Sequence, residues 1–214
     1  SLKTLAREAD AVLLIDNDAW KASGESMSEG YEAINTNIAR RVGLLLAAGE
    51  ATEGVAESVV DSSEIINTLR SGGIASLGYA STPAAEDPAE NITVITSTTR
   101  NAVLTGSSLP GATDADAALL VVAGQPERIS RKGVEKARKW VETETDSMQV
   151  RGGDFPIDSS RLASLVLLGG VERSDRVQRF LTRAEQAAAE TAEVDVEARE
   201  ADKTFQNDDL DGLF

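Results

Sequence analysis

The stretch AALLVVAG, residues 117–124, runs eight positions without a polar side chain, and RLASLVLLGGV, residues 161–171, nearly repeats the pattern. Half-exposed strands alternate polar and apolar residues, so unbroken runs this short fit strands covered on both faces, with helices as the cover. The apolar run of residues 11–15 reads the same way. Residues 74–79 and SMQVRGG, residues 147–153, supply further short strands.

The helices follow from apolar spacing. Tyr31, Ile34, Ile38, Val42 and Leu45 recur at three- and four-residue steps between a Ser28 N-cap and Gly49, predicting a helix of about twenty residues. Asp61-Ser62-Ser63-Glu64 announces a second helix carrying Ile65, Ile66 and Leu69, with Gly72-Gly73 beyond its end. NITVITSTTRNAVL, residues 91–104, has strand-like β-branching, but its length and apolar spacing favour a helix. Residues 130–145 form an amphipathic helix with Val134, Ala137 and Val141 inward, and Ser174 can cap a last helix through Val177, Phe180, Leu181 and Ala184. Gly72-Gly73, Gly152-Gly153 and Gly169-Gly170 read as turns. Alternating buried strands and helices predict an α/β layered domain with a mostly parallel or mixed sheet.

Composition limits what such a domain does. Against 21 basic residues stand 36 acidic ones, and the net charge of −15 repels nucleic acids and anionic membranes. Cysteine and histidine are absent, which removes thiolate chemistry, imidazole bases and the usual zinc ligands and leaves carboxylates or lysine as general bases. No apolar stretch nears the roughly 20 residues of a membrane span, and the start SLKTLAREAD lacks a signal peptide's apolar region, so a cytoplasmic location is expected. The first residue is Ser1, close to a buried-looking strand, as in a piece of a larger protein. Six lysines beside so many acids suggest solubility maintained by carboxylates at high salt. From Glu190 to Asp211 acids far outnumber Arg199 and Lys203, and disorder is expected. The ending QNDDLDGLF either solubilises or, through Leu210, Leu213 and Phe214, docks on a partner.

Three constellations can carry chemistry. Tyr31 and Asn35 share a helix face one turn apart, where a ring can stack on a purine and an amide can read its edge; the plainer alternative is a core aromatic beside a solvated amide. Asp61 and Glu64, three apart, can polarise or deprotonate a water, or simply form a capping box. Ile15-Asp16-Asn17-Asp18 ends a strand where ligands gather in open α/β sheets, or is a polar turn. No GxGxxG, GxxxxGK[ST] or GxSxG occurs.

In their order, LLIDNDAW, SMSEGYEAINTNIARRVGLLLAAGE and VVDSSEIINTLRSGGIASLGYA resemble the tubulin/FtsZ superfamily, most closely its archaeal tubulin-like branch, CetZ. The likeness is strong over residues 8–80 and follows pattern alone to about 185. It implies that residues 1–50 end a nucleotide-binding domain and form its central helix, that 51–188 are a C-terminal activation domain, and that 189–214 are an acidic disordered tail. By the resemblance, Tyr31 stacks near guanine, Asn35 reads the base, and Asp61 and Glu64 are the acids of the catalytic synergy loop. No metal ligand is assigned. The implied protein is a GTPase of cell division or cell-shape control, binding GTP or GDP with Mg2+ or another cation and polymerising head to tail, with each subunit's acids completing its neighbour's site. The family's phosphate-binding GGGTGSG motif occurs nowhere in the chain and would lie upstream, so the chain alone is expected to be inactive. The Asp-x-x-Glu spacing is tubulin-like, and Val59 stands where FtsZ tends to have asparagine. QNDDLDGLF is similar to the tail by which FtsZ recruits adaptors, without its basic residue. The alternative is a non-catalytic α/β protein-interaction domain.

Overall fold

A computed structural model describes residues 5, 8–20, 27–50, 60–174, 177–179 and 182. Compact packing separates Ser1–Ser174 from Asp175–Phe214. In the second unit, residues 177–179 and 182 are helical, in keeping with a helix after Ser174. Val59 and the acidic tail lie outside the described residues.

The first unit is built on a five-stranded sheet of β1 (Val12–Leu13), β2 (Ile74–Pro83), β3 (Asp114–Gly124), β4 (Gln149–Pro156) and β5 (Arg161–Arg173), in the order β1-β2-β5-β3-β4. The outer pairs β1·β2 and β3·β4 are parallel, while β5 runs antiparallel to both β2 and β3, so the sheet is mixed. Helices α1 (Met27–Gly49), α2 (Ser62–Leu69), α3 (Asn91–Leu104) and α4 (Arg131–Thr145) complete the layers.

The two apolar runs occupy the centre. Leu119 and Val121 of β3 and Leu165 and Leu167 of β5 join Ala75 and Leu77 of β2 on one face, under Leu45 and Ala48 of α1, with Val60 and the α2 residues Ile65 and Leu69. At roughly 25 cal/mol per Å², burial of this layer is the main force fastening α1 and α2 to the sheet. On the other face α3 and α4 lie against β2, β5 and β4, burying Ile95, Ala102, Val134, Ala137 and Val141.

The β-branched segment 91–104 is a helix because its hydroxyls are satisfied there. Thr96 and Thr99 donate to the Ile92 and Ile95 carbonyls at 2.8 and 2.9 Å, and Thr99 also meets Ser164 of β5 at 3.0 Å. Gly133 lets α4 approach, since a Cβ there would sit 3.0 Å from Ile95 Cδ1 and 3.1 Å from Ile92 Cα.

Several expectations need correction. The helix α1 is described over Met27–Gly49, so Ser28 falls inside its bounds and not before them. The strand read from residues 11–15 pairs over Val12–Leu13 only. Beyond it the chain turns to Ser108, whose hydroxyl donates to the Leu14 carbonyl at 2.9 Å and whose carbonyl accepts from the Asp16 amide at 2.7 Å. Of the three glycine pairs only Gly72-Gly73, with φ of 77° and 64°, is a turn. Gly152-Gly153 lies in β4 and Gly169-Gly170 in β5. A side chain at Gly169 would collide with the Thr68 carbonyl at the end of α2, so that pair marks a close helix approach.

Candidate functional site

The turn before α2 places the acidic pair. Buried Val60 anchors the turn in the core and leaves Asp61 exposed as the N-cap of α2, at φ −114° and ψ 168°. Its Oδ1 accepts from the Glu64 amide at 3.0 Å and from the Ser63 hydroxyl at 2.5 Å. Both of these bonds fall on Oδ1, and the Ser63 amide also favours the carboxylate. The cap and an exposed catalytic carboxylate are therefore compatible within one residue.

The two acids are held in different states. The Ser63 hydroxyl, then the Glu64 amide, hold Asp61 below its ordinary carboxyl value, and the charge of Arg151 on β4 adds to this. Half-buried Glu64 is pushed up by burial, with the Asp61 charge adding, while the Asp61 amide and Arg151 oppose the shift. Two neighbouring carboxylates are thus set apart, one kept ionised and the other more ready to hold a proton.

Tyr31 and Asn35 occupy the opposite end of α1. Both are exposed, Tyr31 at 51%, so within this chain Tyr31 is not a core aromatic. The acids lie near the far terminus of α1, where a Cβ on Gly49 would come within 2.7 Å of Ile65 Cδ1 and 3.6 Å of Ser62 Cα. At about 1.5 Å rise per residue, some 20–27 Å of helix separates the two sets. One chain does not bring them together. In the third constellation, Asn17 and Asp18 open a 3-10 helix, Asn17–Trp20.

Two residues had no signal in the pattern. Arg151 resembles any strand residue in sequence, and only the position of β4 brings its charge near both acids. Arg41 lies at 6% exposure with its guanidinium 4.2 Å from the Trp20 ring centroid and 5.5 Å from that of Tyr79. It donates to the Gly106 carbonyl at 3.1 Å and to the Asn37 carbonyl and side chain at 3.1 and 3.3 Å. The arginine ties α1 to the loop after α3.

Among the described residues no group of three or more carboxylates converges, and Asp61 with Glu64 alone offers too few oxygens for a six-coordinate cation. No described helix is long and apolar enough to cross a membrane.

Residues 24–186 match the family model for the C-terminal domain of tubulin-like CetZ proteins. Tubulin-like protein CetZ2 of Haloferax volcanii is 69% identical over 215 residues, covering 100% of this chain and 59% of the relative. The structure of CetZ2 from Haloferax volcanii, a GTPγS-bound protofilament, superposes with a TM-score of 0.83 at 68% identity, over 89% of this chain and 55% of the other. CetZ1 from the same organism, a GDP-bound monomer, gives 0.76 at 44% identity, over 87% and 53%. The chain thus spans a little over half the length of these relatives. It belongs to the tubulin-like CetZ family and carries that family's C-terminal domain.

Proposed function

We propose that the intact protein is a GTPase that polymerises head to tail, and that Asp61 and Glu64 of one subunit complete the nucleotide site of the next. The carrying observation is the separation along α1. Tyr31 and Asn35 stand exposed towards one end of α1, while exposed Asp61 and half-buried Glu64 lie beside its other end on the first turn of α2, an arrangement that fits a site shared between successive subunits. The relatives' GTPγS-bound protofilament and GDP-bound monomer support guanine nucleotide and self-association as the partners.

GTP bound to the neighbour would supply the γ-phosphate and its leaving group. Asp61, ionised and fixed through Oδ1, offers Oδ2 to orient a water. Glu64, its carboxyl pushed up by burial, accepts the proton as attack proceeds. Arg151 offsets part of the negative charge the two acids bring to a phosphate. Mg2+ or another cation, if it binds there, draws most of its ligands from phosphate and water. Tyr31 stacks on guanine and Asn35 hydrogen-bonds its edge. The assembly would serve cell shape or division in the cytoplasm, with an adaptor at the C-terminal tail.

Complementation in trans tests the reading. One variant of the intact protein carries Tyr31→Ala and Asn35→Ala, the other Asp61→Asn and Glu64→Gln. Each alone should turn GTP over slowly, and mixing should restore activity at junctions that join sound acids to a sound base pocket. Copolymers that show no recovery would sink the shared site.

A further inference from the structure

The first ten residues of α4, Arg131 to Trp140, hold five basic residues against the single acid Glu135, in a chain of net charge −15. Across from them α3 carries one charged residue, Arg100. Between the two helices lies a groove of about 350 Å³ lined by Ile92, Thr96, Arg100, Lys136 and Trp140 among others. The Arg100 guanidinium stands 5.4 Å from the Trp140 ring centroid. While Arg138 pairs with Glu135 at 2.9 Å, no ion pair engages Arg100 or Lys136 among the described residues, and both are exposed.

Exposed cations on an acidic protein usually sit beside acids that neutralise them. Here α3 presents none, and the sequence gathers three of the six lysines, Lys132, Lys136 and Lys139, on the facing helix. The groove is also apolar in part: Ile92 and half-buried Trp140 give it a surface that a hydrocarbon side chain can cover. A ligand that fits has a few carboxylates next to an aromatic or leucine side chain. Long polyanions fit worse, because the rest of the surface repels them.

We propose that this groove between α3 and α4 docks an acidic, hydrophobic-ended peptide, namely the QNDDLDGLF segment of a second copy of the chain. Asp208, Asp209 and Asp211 match the cations of the groove, and Leu213 and Phe214 match Ile92 and Trp140. The aromatic contact matters at high salt. At about 1 M the Debye length is roughly 3 Å, so only contact ion pairs and apolar burial survive there.

The test adds a fluorescently labelled QNDDLDGLF peptide to the intact protein and follows anisotropy. Saturable binding is expected, weakened at least tenfold by Arg100→Gln with Lys136→Gln and by Phe214→Ala in the peptide. It should weaken with added salt without vanishing. Arg100→Glu with Lys136→Glu should favour a peptide whose three aspartates are replaced by lysine. Equal binding of a scrambled peptide, unchanged binding to the neutral variants, or preference for anionic vesicles or heparin would each overturn the assignment. The replaced side chains are exposed, and an unchanged melting temperature confirms that the variants are folded.

Discussion

Substitutions at Asp61 separate a helix cap from a catalytic acid. The cap needs an acceptor at Oδ1, which takes the Glu64 amide at 3.0 Å. Orienting a water needs the charge and lone pairs of Oδ2, which the cap does not use. Asp61→Asn keeps an oxygen for the amide and replaces the other by a donor, so α2 stays capped, since asparagine and aspartate serve about equally well as N-caps. Asp61→Ala removes both functions. In a domain of this size, loss of one N-cap lowers the melting temperature by about 2–4 °C. Loss of a positioned acid or base costs about 100- to 10,000-fold in turnover. Asp61→Asn should therefore melt like the parent and turn GTP over at least 100-fold more slowly, while Asp61→Ala loses both. The assays are thermal unfolding by circular dichroism and phosphate release, normalised to polymer mass by light scattering. If Asp61→Asn hydrolyses GTP at the parent rate in filaments of normal mass, Asp61 is a cap and nothing more.

Asn35→Ala should weaken guanine nucleotide binding to the intact protein by about tenfold through lost hydrogen bonds to the base, measured by calorimetry. Arg41→Ala should destabilise by about 2–4 kcal/mol, from the unsatisfied Gly106 carbonyl and lost stacking on Trp20, whereas Arg41→Met should cost less because its long apolar chain still fills the space beside Trp20. Urea unfolding followed by tryptophan fluorescence reads the difference. For pH, Glu64 sits above its ordinary 4.5 and Asp61 below its ordinary 3.8. Acidification should thus stop turnover through Glu64 before it protonates the Asp61 cap. The stability Asp61 contributes is present above 3.8 and lost as pH falls through its depressed value; Glu64, with a raised value, favours the folded state more when protonated. Glu64→Gln should therefore melt no lower than the parent at neutral pH, which a melting series from pH 3 to 7 checks.

The central strands were legible because continuous burial leaves a mark that local sequence alone can carry. Leu119, Leu120, Val121 and Val122 of β3 are fully buried, as an unbroken apolar run requires. The order of strands was not legible. The central place of β5, antiparallel to both β2 and β3, depends on contacts between distant residues that no local period encodes. Two of the three glycine pairs failed for a related reason: Gly169 needs no turn, only room for the Thr68 carbonyl of a helix a hundred residues earlier.

Site residues obeyed the same division. Asp61 and Glu64 could be found by spacing because a cap and a water-orienting pair both use short-range geometry, and spacing could not choose between them for that reason. The opposed shifts of the two acids arise from burial of Glu64 and from the bonds to Asp61 Oδ1, and Arg151 reaches both only through the packing of β4. The helix α1 joins these local and distant levels. Its apolar face, through Leu45 and Ala48, fixes its far end against the sheet beside the acids, while Arg41, buried against Trp20 and Tyr79, fixes its middle. A helix held at both places is a strut of set length between the exposed pair Tyr31 and Asn35 and the acids. Under the proposed shared site, such a strut would let a change at the nucleotide end reach the acids by rigid displacement.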